Sequence, residues 1–162
     1  NRVIVLLSVK AGLRAGEIAA VTWPMVLDSR GRIADALVLP DHAAKKCGGR
    51  TIPLHPDLRQ ALIGLRRVTG AEGPVVVSER GQAMTAGSVV NWFSAAYREL
   101  GYRGCSSHSG RRTFVTHAAR NVARAGGSMR DVQQLAGHQS IVTTQRYIDG
   151  DSAVQRRLVK LL

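Results

Sequence analysis

Short apolar stretches at helical spacing, each closed by glycine or proline, most constrain what this chain can become. Val3-Ile4-Val5-Leu6-Leu7 stops before Gly12, Leu58-Ala61-Leu62-Leu65-Val68 runs from Pro56 to Gly70, and Val89-Trp92-Phe93-Ala96-Leu100 ends at Gly101. Residues three and four apart share one helix face, and glycine or proline interrupts it. Helices are therefore expected over residues 2–10, from Gly16-Glu17 to Trp23-Pro24, from Pro56, over 86–100 and over 108–124. Gly126-Gly127 and a Ser128-x-x-Asp131 capping box then introduce a short helix to Ala136. Gly137 stops it, another helix carries residues 143–148, and a last one spans 151–162. Between the second and third helices the pattern shortens. Met25-Val26-Leu27, residues 33–39 and residues 50–54, joined in part by a Ser29-Arg30-Gly31 turn, read as short antiparallel strands, with 75–77 a further strand or extended segment. The fold class is mainly α with a small antiparallel β-sheet (α+β), one domain over residues 1–162.

Charge narrows the partner. Lys and Arg number 23 against 11 Asp and Glu, a net charge of +12 and a pI near 11.2. The base composition of the genome can account for Arg over Lys but not for the shortage of acids, and such an excess favours a polyanion through counterion release. Aromatic residues are only 4%, which argues against a platform for stacking single-stranded bases. No apolar run approaches the ~18 residues that span a bilayer, and residues 3–7 lack a following small-residue cleavage site, so no membrane is expected. Cys47 and Cys105 stand outside metal or redox spacings, consistent with a reducing, cytoplasmic, chromosome-associated setting. At 17.4 kDa the chain suits one core. Residue 1 is Asn rather than Met, so an upstream domain is expected to precede it in a longer product.

One tyrosine gives the charge a chemical use. Tyr147 follows Gly137-His138 after a short polar connection. A phenol, with a reference pKa of about 10, is a poor nucleophile near neutrality unless cations stabilise the charge its attack creates. Arg14 lies at the turn between the first two helices, paired with or oriented by Glu17 three residues on. His108 and Arg111, also three apart, share a face at the start of a helix. Lys45 and Lys46 occupy the loop before Gly48-Gly49, where a lysine can reach a DNA groove. His117, in the same helix as Arg111 but outside the pattern, is taken as structural.

In this order, Arg, Lys, His-x-x-Arg, Gly-His and Tyr, the chain resembles the catalytic domain of the tyrosine recombinases, the phage-integrase family. The resemblance implies a catalytic set of Arg14, Lys46, His108, Arg111, His138 and Tyr147. Tyr147 would attack a DNA phosphodiester to leave a 3′-phosphotyrosine and a free 5′-hydroxyl. Arg14 and Arg111 would hold the non-bridging oxygens, and His138 would hydrogen-bond the phosphate. His108 would assist proton transfer at the tyrosine, and a hairpin lysine would protonate the leaving 5′-oxygen. The Lys-x-Gly pattern selects Lys46, whereas counting back from Pro53 permits Lys45. The covalent ester stores the bond energy, so neither a metal nor any other cofactor is expected. The family further implies a homo-oligomer, a tetramer on DNA, with accessory DNA-bending proteins in some systems. The stripe Val154-Leu158-Leu161-Leu162 would dock either on its own domain or on a neighbour.

Three rival readings are weaker. A metallohydrolase lacks any His-Glu-x-x-His or Cys-x-x-Cys spacing. A non-enzymatic DNA-binding protein would have no use for Tyr147 as a nucleophile. A type IB-like topoisomerase shares the chemistry, but the short chain and the Gly137-His138 context fit a recombinase better.

Overall fold

In the computed structural model the described residues are 2–44 and 48–147 and, beyond them, Arg156, Val159 and Lys160. Lys45 and Lys46 lie outside the described residues, and so does most of the helix expected over 151–162.

Helix α1 (Arg2–Val9) forms where its apolar run predicts, burying Val3, Ile4, Leu6 and Leu7. Gly12 then turns the chain with φ +66°, and a Cβ at this position would stand 2.3 Å from the Phe114 ring. Both the left-handed backbone and the missing side chain are required here. The turn delivers Leu13, fully buried, and Arg14, which precedes α2 (Ala15–Ala20).

Past α2 the structure departs from expectation. Trp23-Pro24 does not end a helix but opens a 3-10 helix, Trp23–Val26, since proline's fixed φ suits a first helical turn. Met25-Val26-Leu27 is consequently no strand; Leu27 makes only an isolated bridge to Ile33. α2 ends at Ala20 because Val21 and Trp23 are drawn into extended pairing with Gly73 and Val75. The sheet has two strands among the described residues, β1 (Ala36–Leu39) and β2 (Arg50–Pro53), antiparallel with Leu37 opposite Ile52 and Leu39 opposite Arg50.

Helices α3 (Pro56–Thr69) and α4 (Ala86–Glu99) form as read, yet the ends of their stripes fail to bury. Leu58, Leu62, Val89 and Phe93 are inside, while Val68 is 85% and Leu100 68% exposed. α3 has 14 residues against the 8 of its neighbour α1, so at 1.5 Å per residue it overhangs by roughly 9 Å. Leu100 caps α4 and turns outward before Gly101.

These elements enclose the main core around Leu7, Leu13, Ile18, Trp23, Leu37 and Ile52. A second, smaller cluster lies between α5 (Ser109–Asn121) and α6 (Met129–Ala136), where Val115, Val132 and Ala136 pack with Phe114 and Tyr147 at its edge. α5 is shorter than the expected 108–124; it ends at Asn121, and a 3-10 turn continues to Ala125. The Ser128–Asp131 capping box is present, with the Ser128 amide donating to Asp131 Oδ2 at 2.7 Å. α7 (Ile141–Gln145) begins two residues earlier than read because Ser140 caps it, its Oγ accepting from the Val142 amide. Tyr147 therefore lies in the turn after this helix.

Gly12→Ala should cost about 3 kcal/mol of stability, since it combines left-handed strain with overpacking against Phe114. Denaturant unfolding of the variant beside wild type checks this.

Candidate active site

Glu17 is the one buried carboxylate among the described residues, at 2% exposure, and its partners define the site. Its Oε2 accepts from the Arg14 backbone amide at 2.9 Å, the reciprocal half of a capping box, and Oε1 accepts from Arg14 Nη1 at 2.8 Å. Arg50 supplies two more bonds, Nη2 to Oε2 at 3.0 Å and Nη1 to Oε1 at 3.2 Å. Burial by itself would raise the Glu17 pKa. Hydrogen bonds from Arg50 and the Arg14 amide, with the charges of both guanidiniums, outweigh that and hold it at about 2.

Arg50 was read only as a strand residue. Yet the strand's alternation contains the signal: Arg50 is two residues from Ile52 and opposite Leu39, so it points to the core face. A basic residue in phase with buried apolar ones needs a buried acid. Its Nε also donates to the Leu135 carbonyl at 3.0 Å, tying the hairpin to the end of α6.

Arg111 is buried, at 3% exposure, on the first turn of α5. Its Nη1 donates to the Gly12 carbonyl and its Nη2 to the Ala136 carbonyl at 2.6 Å. One side chain thus joins the joint after α1 to the end of α6. Burial first, and then the charge of Arg14, bring its pKa down to about 10. Two of the five guanidinium N–H groups are committed to these carbonyls, and the other three make no hydrogen bond among the described residues.

Gly137, at φ +61°, ends α6 with its Cα facing Arg50; a Cβ there would lie 2.7 Å from Arg50 Nη1. It presents His138, buried to 8% exposure. Gln133 Nε2 donates to the His138 carbonyl at 2.9 Å, and His138 Nδ1 is 2.9 Å from Thr144 Oγ1. Burial, followed by the charges of Arg111, Arg14 and Arg50, pushes its pKa down to about 4, so the imidazole is neutral at pH 7. Its ring stacks on Tyr147, centroids 5.6 Å apart and planes at 21°. Tyr147 is half-buried and borders a polar cavity of about 450 Å³ with Arg112, Thr116, Thr143 and Arg146.

The structure thus brings Arg14, Arg111, His138 and Tyr147 together, with Glu17 orienting Arg14 as read. His108 stands at the N-cap of α5, exposed, its amide donating to Ser106 Oγ; its imidazole makes no hydrogen bond among the described residues. His117 is exposed on α5. Three guanidiniums against one carboxylate leave two positive charges around a neutral imidazole and a phenol. Such a charge balance favours an anion. Among the described residues no three His, Cys, Asp or Glu side chains are grouped to hold a metal, and no helix is long and apolar enough to cross a membrane.

The sequence profile of the phage integrase family matches residues 1–153. The chain belongs to the phage integrase family. Among relatives, the tyrosine recombinase XerC of Pseudomonas savastanoi pv. phaseolicola is 30% identical over 152 residues, which are 91% of this chain and 47% of that protein. XerC of Xanthomonas axonopodis pv. citri is 28% identical over 91% of the chain and 46% of the relative. The chain spans about half the length of these family members. In three dimensions it resembles the XerA recombinase (TM-score 0.73, 23% identity, 98% of this chain and 56% of that one). It also resembles a lambda integrase dimer bound to a COC′ core site (TM-score 0.72, 22% identity, 91% and 41%).

Glu17→Gln should lower stability at pH 7 by about 3 kcal/mol, since it leaves Arg50 buried without its counter-charge. The folded pKa lies below the unfolded value of 4.5, so this contribution is complete above about pH 4.5 and disappears as pH falls through about 2. Urea unfolding of both proteins across that range should show the gap closing in acid.

Proposed function

We propose that this domain cleaves and rejoins double-stranded DNA at specific sites through a 3′-phosphotyrosine intermediate, with Tyr147 as nucleophile. The observation that carries the reading is the unbalanced pair of positive charges beside the stacked His138–Tyr147 rings. A phosphodiester brings one negative charge to this site, and the pentacoordinate transition state brings a second. Arg14 and the free N–H groups of Arg111 stabilise that growth on the non-bridging oxygens. His138, neutral, hydrogen-bonds the same phosphate. Tyr147 Oη forms the new P–O bond and gives up its proton with help from His108. The bond from phosphorus to the 5′-oxygen breaks, and that oxygen takes a proton from Lys46, or from Lys45. Rejoining is the reverse, with a 5′-hydroxyl as nucleophile, so no nucleotide or metal enters the balance. Two active sites on each of two duplexes make a tetramer the natural assembly, with accessory DNA-bending proteins where the paired sites are distant.

A nicked duplex incubated with the protein should give a covalent adduct on a denaturing gel, undiminished by excess chelator. Tyr147→Phe should bind the duplex and yield no adduct; an adduct at wild-type yield would remove Tyr147 from its role. Arg14→Ala should slow cleavage about a hundredfold, the loss of one preorganised anion donor.

The lysine is assigned by a substrate whose 5′-bridging oxygen is replaced by sulfur, a leaving group that needs no proton. Lys46→Ala should be rescued by it; rescue of Lys45→Ala alone would transfer the role to Lys45.

A further inference from the structure

We propose that Thr144 is a positioning residue for His138: its hydroxyl donates to Nδ1 and holds the imidazole in the tautomer that carries its proton on Nε2. The use made of that proton, a hydrogen bond to the phosphate, rests on the recombinase reading; the tautomer itself does not.

His138 Nδ1 and Thr144 Oγ1 are 2.9 Å apart, and Thr144 is fully buried. Either atom can donate across that distance. If Nδ1–H donated, the threonine proton would need an acceptor of its own. Helical hydroxyls elsewhere in this chain give theirs to the carbonyl four residues back, as Thr69 does to Leu65, Ser94 to Val90 and Thr113 to Ser109. Thr144 makes no such bond; among the described residues its hydroxyl meets His138 alone. An accepting Thr144 would therefore strand a buried O–H, a loss comparable to a broken hydrogen bond. A donating Thr144 strands no proton, makes Nδ1 the acceptor, and places the ring proton on Nε2.

The choice matters because the imidazole is neutral. An imidazolium would donate from both nitrogens, but burial and the charges of Arg111, Arg14 and Arg50 hold His138 neutral at pH 7. Only one nitrogen then carries hydrogen. With the proton on Nε2 the ring offers a donor to a phosphate oxygen; with it on Nδ1 the ring would offer a lone pair, which an anion repels. Nε2 makes no hydrogen bond to the protein among the described residues, so it is the nitrogen left for a ligand.

Thr144 also fixes the nucleophile. Its backbone carbonyl accepts from the Tyr147 amide at 3.1 Å, while its hydroxyl holds the ring that stacks on Tyr147. One residue therefore sets the register between the imidazole and the phenol, and Gln133 anchors His138 from the other side through its carbonyl.

The test is the tautomer of His138 in the DNA-free protein, read from the 15N shifts of its ring nitrogens at pH 7. Wild type should show protonated Nε2 and bare Nδ1. Thr144→Val, which keeps the branched shape and loses the donor, should shift the ring toward protonated Nδ1. It should also slow adduct formation on a nicked duplex roughly ten- to a hundredfold, the usual effect of losing an outer hydrogen-bond partner, at unchanged duplex affinity. Thr144→Ser should restore both readings. A wild-type ring protonated on Nδ1 would overturn the proposal, even if Thr144→Val did not fold. So would a Thr144→Val protein with unchanged tautomer and cleavage. If the tautomer responds as stated while wild type itself forms no adduct, the assignment of Thr144 holds and it is the recombinase reading that fails.

Discussion

Everything at this site depends on one buried carboxylate. Glu17 accepts four hydrogen bonds from two arginines that come from opposite directions, Arg14 from the joint after α1 and Arg50 from the hairpin. Without it the inward face of β2 would carry an uncompensated charge, and Arg14 would be free to leave the site. Arg50, held by Glu17, in turn grips the Leu135 carbonyl and lies against Gly137, so the segment that presents His138 is fixed through the same carboxylate. The acid is a structural counter-ion whose position determines where the cations can be.

Arg111 performs the complementary task across the two apolar clusters. The main core ends near Gly12 and the smaller one near Ala136, and the guanidinium bonds to the carbonyl of each. A group proposed to hold the phosphate that also staples two packing units couples their relative placement to the site. Any separation of α5 from α1 would break this bridge together with the packing of α5 on α1, where Phe114 lies against Gly12 and Gly110 against Val9. Site geometry and domain cohesion are therefore the same interaction.

What could be read in the chain followed the physics that is local. Helices α1, α3, α4 and α6 declared themselves through apolar periodicity and caps, because spacing and end residues act over a few positions. Arg14, Arg111, His138 and Tyr147 were found as an ordered pattern, and the fold brings them together. The strand expected at Met25-Val26-Leu27 failed because Pro24 suits the first turn of a 3-10 helix and the bridge to Ile33 leaves too little pairing for a strand. Val68 failed because burial depends on the length of the neighbouring helix, which no window of sequence contains, and Leu100 because it caps α4 and turns outward. Arg50 was missed for a related reason. Its phase with Ile52 was visible, but its significance comes from Glu17, 33 positions away in the chain.

The charge balance explains why the cations are held so firmly before any ligand arrives. Arg111 is drawn down to about 10 and His138 to about 4, each disfavoured as a cation first by burial and then by a neighbouring guanidinium, Arg14 for Arg111 and Arg111 for His138. Like charges so placed would ordinarily move apart into solvent. Here Arg14 is tied to Glu17 and Arg111 to two backbone carbonyls, so neither can relax outward. In the proposed reaction an entering phosphate would meet donors whose repulsion has already been borne by folding, and its charge would relieve that repulsion. Because the transition state for the proposed attack by Tyr147 would carry more negative charge than the ground state, the relief would be greater at the transition state, which is the condition for catalysis rather than mere binding. His138 fits the same logic by being neutral: it can donate a hydrogen bond without adding a further positive charge to a cluster that already holds two in excess.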